Sequence, residues 1–249
     1  MKQLLLYVQI FFLFACSPSN LQVTKVTGKS IGIDSVLSTN NAIEEIIVPY
    51  RKELKKKMDK PLSEAQKNLV VNDGELQSSL GNLLADLSFE IGNPIFNKKV
   101  NTDIDFVMMN AGSLRASISK GVVTVQNVFS LMPFENKLVV VKLSGEKVKM
   151  LFDYFIKKKR PHPLSKNVQL VVNGEAYKVR INRVPFDENR SYFILTNDYL
   201  QNGGGGMDFF TDPEELIDLD YKVRDAILDY FSKQDVLEAK LDNRVIVKK

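Results

Sequence analysis

The chain has 249 residues, 44% of them hydrophobic, enough for one large or two small packed domains. Its formal charge of +4 is small, and the lysines are dispersed apart from the runs Lys55 to Lys57 and Lys157 to Arg160, which read as solvated helix faces and argue against a nucleic-acid partner. The single cysteine rules out an internal disulfide and leaves stability to the core.

At the N-terminus, Lys2 is followed by an apolar run from Leu4 to Ala15 broken only by Gln9, then by Cys16 and the polar stretch Ser17 to Asn20. Such a run is too short for a bilayer core of about 30 Å, which takes about 20 helical residues, so residues 1–15 read as a secretory signal. The string Leu13-Phe14-Ala15-Cys16 resembles a bacterial lipobox. That resemblance implies that Cys16 is lipidated and becomes the mature N-terminus, with residues 16–21 as a short tether. An incidental thiol in a plain signal peptide is the alternative. Acyl chains contribute about 0.8 kcal/mol per buried methylene, so two or more would hold the chain at a membrane. Ser17 directly after Cys16 implies, again by resemblance, an outer membrane facing the periplasm.

Leu21 to Ile33 alternates polar and apolar residues as an edge strand does. Asn41 to Met58 has the spacing of an amphipathic helix, with Asn40 or Asn41 as N-cap and Pro49 as a kink. Leu76, Leu80, Leu83, Leu84, Leu87 and Ile91 recur at helical spacing and predict a buried helix. Short apolar runs at Ile104 to Met109, Val122 to Val128 and Leu138 to Leu143 predict strands, and Ser144-Gly145 introduces a helix from Glu146 to about Lys159. Further strands are expected at Val168 to Val172, Tyr177 to Ile181 and Tyr192 to Thr196. A glycine loop at Gly203 to Gly206 and a helix from about Tyr221 to Ser232 follow. This irregular alternation favours a mixed-sheet α/β or α+β domain over a doubly wound parallel one.

Three strings resemble the signature blocks of the 5′-nucleotidase C-terminal domain: SSLGNLLADLSFE (Ser78 to Glu90), NAGSLRASISKGVVTVQNVFSLMPFENKLVVVKLSG (Asn110 to Gly145) and LTNDYLQNGGGG (Leu195 to Gly206). Weaker echoes are PHPLS (Pro161 to Ser165), VRDAILDYF (Val223 to Phe231) and Asn243-Arg244-Val245. Their order and spacing fit the family over roughly residues 22–249. The resemblance implies a four-layer α/β/β/α sandwich with mixed sheets. In full-length members this domain binds the base and sugar of a nucleotide and swings it toward a separate metallophosphoesterase domain.

Arg115 follows the loop Asn110-Ala111-Gly112-Ser113, where Gly112 lets backbone approach a ligand closely, and a guanidinium there can hold phosphate in a two-pronged contact. The resemblance puts Arg115 at the phosphate end and Asn110 at the base; the alternative is a helix-capping Arg115 and a turn-completing Asn110. Phe134, between Pro133 and the polar pair Glu135-Asn136, and Tyr199, before the glycine loop, match the family's stacking positions. Two such rings can sandwich a purine, whereas core roles are the alternative. Asn136 matches a base-side position. Gly204 and Gly205 stand in a loop that in the family usually reads Gly-Gly-Asp-Gly, so Gly205 replaces the acid that holds ribose, and Asp208 is the nearby candidate substitute. The extra arginines that many members carry before the Leu80-Gly81-Asn82 helix are absent from Val70 to Glu75.

Family hydrolysis uses a two-metal site built from several Asp, Asn and His residues, and this sequence has one histidine, His162. Phosphate-loop and nucleophile-elbow strings are also absent. The sequence therefore reads as a nucleotide-recognition subunit, with the divalent metals held by a separately encoded metallophosphoesterase partner. The alternatives are a stand-alone nucleoside or nucleotide binding protein and a degenerate module without ligand.

Overall fold

The computed structural model describes residues 23–248, so the signal peptide, Cys16 and the whole tether lie outside the described residues. Two units divide at Ile47/Val48, inside the first helix. In the first unit, residues 23–33 are exposed and form no strand. The alternation there sets up two faces, but a strand needs a hydrogen-bonded neighbour and none pairs with it. Helix α1 (Asn41–Met58) begins at Asn40, whose Oδ1 accepts from Ala42 N at 3.1 Å. Pro49 is accommodated inside it, and none of its residues is buried.

The second unit is mixed α/β with three mixed sheets, the class expected. Strand β1 (Pro61–Ala65) is followed by helix α2 (Ser79–Val100), β2 (Phe106–Val107) and β3 (Gly121–Thr124). Helix α3 (Val125–Leu131), β4 (Lys137–Leu143) and α4 (Gly145–Lys158) come next. Then follow β5 (Val168–Asn173), β6 (Ala176–Ile181), β7 (Val184–Pro185), β8 (Tyr192–Asn197) and the short helix α5 (Asp198–Gln201). The chain closes with β9 (Glu215–Lys222), α6 (Val223–Phe231), β10 (Val236–Leu237) and β11 (Val245–Lys248). The sheets run β10-β1-β3, β11-β5-β6-β7 and β2-β8-β4-β9, each combining parallel and antiparallel pairs.

Sheet β2-β8-β4-β9 carries a core on each face. Leu138, Val140 and Leu195 pack with α2 and α6, while Val141, Leu143 and Ile194 pack with α4 and strands β5 and β6. Burial of both faces explains why β4 reads as a continuous apolar run rather than an alternation. Ser78 caps α2 by accepting from Gly81 N at 3.1 Å. Leu80, Leu84 and Leu87 are almost wholly buried, each contributing about 1.5–3 kcal/mol by leaving water.

Several predicted boundaries change: of Ile104 to Met109 only Phe106–Val107 form β2, and the last helix starts at Val223 because Tyr221 and Lys222 end β9. Helix α2 runs past Ile91 to Val100. The apolar run Val122 to Val128 splits into β3 and α3, because Asn127 Oδ1 reaches back to Thr124 N at 2.7 Å and closes a helix-starting box.

Candidate functional site

Three loops leave one end of the central sheet together. Strand β2 runs parallel to β8 and β4 antiparallel to it, with Leu138 opposite Asn197. The chain after β2, the chain before β4 and the chain after β8 therefore emerge side by side. They carry Asn110 to Arg115, Phe134 to Asn136, and Tyr199 to Gly205 respectively.

These loops enclose a cleft of about 640 Å³ lined by Asn110, Gly112, Ser113, Arg115, Phe134, Glu135, Asn136, Arg160, Tyr199 and Gly205. Seven of the eight motif residues singled out in the sequence thus meet in one place. The eighth, Gly204, lines an adjoining hollow with Asn136, Asp198, Tyr199 and Asn202.

The two aromatic rings are not core residues: Phe134 is 39% and Tyr199 49% exposed. Asn110 closes a turn with its backbone, but its side chain is not spent on it. Its backbone carbonyl accepts from Ser113 N at 3.1 Å and Ser113 Oγ at 2.7 Å, while its side-chain Oδ1 is buried without a hydrogen-bond partner. An unpaired buried acceptor at the wall of a cleft is suited to a ligand donor. Arg115 caps no α-helix; its Nη1 makes one long contact, 3.5 Å, to Gly112 O in the short 3-10 turn Ala111–Ser113, and its backbone is fixed by Arg115 N donating to Leu131 O at 2.9 Å.

Supporting residues not singled out in the sequence hold these loops, although Asp198 and Arg224 lie within the quoted blocks. Asp198 Oδ1 accepts from Asn136 Nδ2 at 3.0 Å and Tyr199 N at 2.8 Å, joining two loops through one carboxylate. The Phe134 carbonyl accepts from Arg224 Nη1 at 3.2 Å, and the buried Arg224 also pairs with Glu135. Lys222 Nζ lies 2.5 Å from the other Glu135 oxygen. Hydrogen bonds from Lys222 and then Arg224 pull the Glu135 carboxyl down to about 2. Both partners lie at the β9–α6 junction, and nothing in the sequence pattern points to β9.

The glycine loop is shaped around Tyr199. A Cβ on Gly204 would lie 2.4 Å from Tyr199 O and 2.6 Å from its ring, so only glycine fits. Gly205 has φ 70°, donates its N–H to Tyr199 Oη at 3.1 Å, and accepts from Tyr154 Oη at 2.8 Å. Asp208 does not line the cleft; its Oδ1 lies toward Gly203.

His162 sits beneath the Asn110 loop, accepting Ala111 N at Nδ1 over 3.1 Å. Burial, followed by the Arg160 and Lys158 charges, lowers it to about 4. With one ring nitrogen engaged and no second histidine in the sequence, these residues do not fit a two-metal site. Among the described residues no group of three or more His, Cys, Asp or Glu converges on a metal position, and no helix is long and apolar enough to cross a membrane.

Comparison with known proteins agrees with this geometry. Residues 59–212 match the family model for the 5′-nucleotidase C-terminal domain. A 5′-nucleotidase-related protein of Glossina morsitans morsitans is 23% identical over 249 aligned residues, covering 91% of this chain and 45% of that protein. Protein UshA of Escherichia coli is 22% identical over 236 residues, 89% of this chain and 40% of its own length. The chain thus spans less than half the length of these relatives. The crystal structure of a 5′-nucleotidase precursor from Thermus thermophilus shares the fold, with a TM-score of 0.67 at 23% identity over 82% of this chain and 42% of that one. The match spans more than half of the sequence and takes in every cleft-lining residue, and the chain belongs to the 5′-nucleotidase C-terminal domain family.

Proposed function

We propose that this chain is the nucleotide-recognition subunit of an exported 5′-nucleotidase system, holding base and phosphate for hydrolysis by a separate metal-bearing phosphoesterase chain. The carrying observation is the convergence of two exposed rings, the unpaired Asn110 Oδ1 and the Arg115 guanidinium in one cleft. Phe134 and Tyr199 clamp the base, and Asn110 and Asn136 read its edge. Arg115 takes the phosphate. Lipidation of Cys16 would hold the subunit at the outer membrane, facing the periplasm. The divalent metals belong to the partner, because His162 is committed to the loop beneath the cleft.

Calorimetric titration with adenosine and with AMP tests the reading. Saturable binding is expected, and Phe134→Ala with Tyr199→Ala should abolish most of it, stacking being worth about 1–3 kcal/mol per base. The same double variant should unfold within about 1 kcal/mol of the parent, where core aromatics would cost about 3–5 kcal/mol each. Binding that survives both substitutions sinks the base clamp. Hydrolysis of AMP should appear only when the metal-bearing partner is added.

A further inference from the structure

The cleft carries more positive charge than its motif residues supply. Its lining contains two arginines, Arg115 and Arg160, and one carboxylate, Glu135. That carboxylate is already paired with Arg224 and Lys222. Neither arginine forms an ion pair among the described residues. Two uncompensated guanidinium charges therefore open onto one concave surface, where field focusing favours an anion.

Arg160 reaches the cleft by construction of the fold. Helix α4 ends at Lys158, Lys159 turns the chain out with φ 48°, and Pro161 confines Arg160 to extended backbone. The segment is then pinned to the loop after β2. Met109 N donates to Pro163 O at 2.9 Å, and Ala111 N donates to His162 Nδ1 at 3.1 Å. A third bond, from His162 N to Arg160 O at 2.8 Å, closes a tight turn within the pinned segment and fixes the backbone of Arg160 relative to His162. After burial, the Arg160 charge is the largest influence holding the buried His162 neutral. The basic run Lys157 to Arg160 is thus not wholly a solvated helix face; its last member, itself exposed, lines the rim of the cleft.

We infer that Arg160 is a second anion-binding residue of the cleft, acting with Arg115 on the phosphate of the ligand and setting a preference for nucleotides over nucleosides. The inference rests on the nucleotide-recognition reading above. A planar guanidinium is suited to phosphate because two parallel N–H donors match two oxygens. The stretch Val70 to Glu75 contains no arginine, and Arg160 supplies the second guanidinium from a different segment.

The test is titration of the purified chain with AMP, adenosine and inorganic phosphate, for the parent, Arg160→Gln and Arg115→Gln, with melting temperatures as a check on folding. The parent should prefer AMP to adenosine. Arg160→Gln should weaken AMP roughly tenfold, the worth of one charge-assisted contact at an exposed site, and leave adenosine unchanged. Unchanged AMP affinity in Arg160→Gln, with loss in Arg115→Gln, would overturn the role of Arg160 and leave the nucleotide reading standing. A parent that binds neither AMP nor adenosine would overturn the nucleotide reading and the inference with it. Inorganic phosphate binding as tightly as AMP would show a plain anion site and overturn the ligand class.

Discussion

The imidazole of His162 couples the stability of the fold to pH from a position directly under the cleft. The residue is 4% exposed, its ring lies 5.7 Å from that of Tyr154 and 5.8 Å from that of Phe155, and it accepts the Ala111 N–H. Its ordinary value of 6.5 falls to about 4 in the fold. As pH drops below about 6.5 the unfolded chain takes up a proton that the folded chain refuses. Stability is therefore present above that pH and is lost progressively down to about pH 4, by up to ~3 kcal/mol. Urea unfolding at pH 7, 5.5 and 4 should show this decline, and His162→Gln should flatten it; a variant with the same slope as the parent would place the effect elsewhere. Motif residues such as Phe134 and Tyr199 are legible in the sequence because their surroundings break apolar periodicity. Arg160 is not, since three lysines precede it and the sequence does not mark where the helix ends.

At the scale of elements, the apolar pattern yields the helices and the central strands, whose apolar residues match a buried face. Its errors fall where context decides. The alternation at Leu21 to Ile33 has no pairing partner among the described residues. Strand β9 reads ELIDLDYK, which keeps acidic residues on its exposed positions and resembles a loop in composition. Asp198 becomes visible only when β4 and β8 lie side by side, because its contact to Asn136 spans 62 positions. The glycine loop offers a direct test of element geometry. Gly204→Ala places a methyl group 2.4 Å from the Tyr199 carbonyl oxygen and 2.6 Å from its ring, so the loop backbone and the ring must both shift. Overpacking of this kind costs about 1–3 kcal/mol. The variant should lose affinity for adenosine and AMP alike in calorimetry, and equal affinity would show that the Tyr199 ring takes no part.

Across the whole molecule, the least expected residue is Arg244. Its side chain is 4% exposed and pairs with Asp86 at 2.7 Å and Asp242 at 2.7 Å. Its Nη1 also donates to Leu164 O at 2.7 Å. The string Asn243-Arg244-Val245 is only a weak echo of the family, yet it ties α2, the segment before β5 and β11 together. Arg244→Ala strands two carboxylates and a buried carbonyl, so a loss of about 3–5 kcal/mol in urea unfolding is expected; a loss below about 1 kcal/mol would mean that water replaces the guanidinium.

That clasp also sets a timetable. Asp86 and Arg244 are 158 positions apart in the chain, and at about 5–20 residues per second a ribosome takes roughly 8–30 s to pass from one to the other. Throughout that interval the carboxylate of α2 has no guanidinium to meet. The second unit therefore cannot complete its assembly until Arg244 has left the ribosome, and a nascent chain held open for that interval is one that the export proposed above can use.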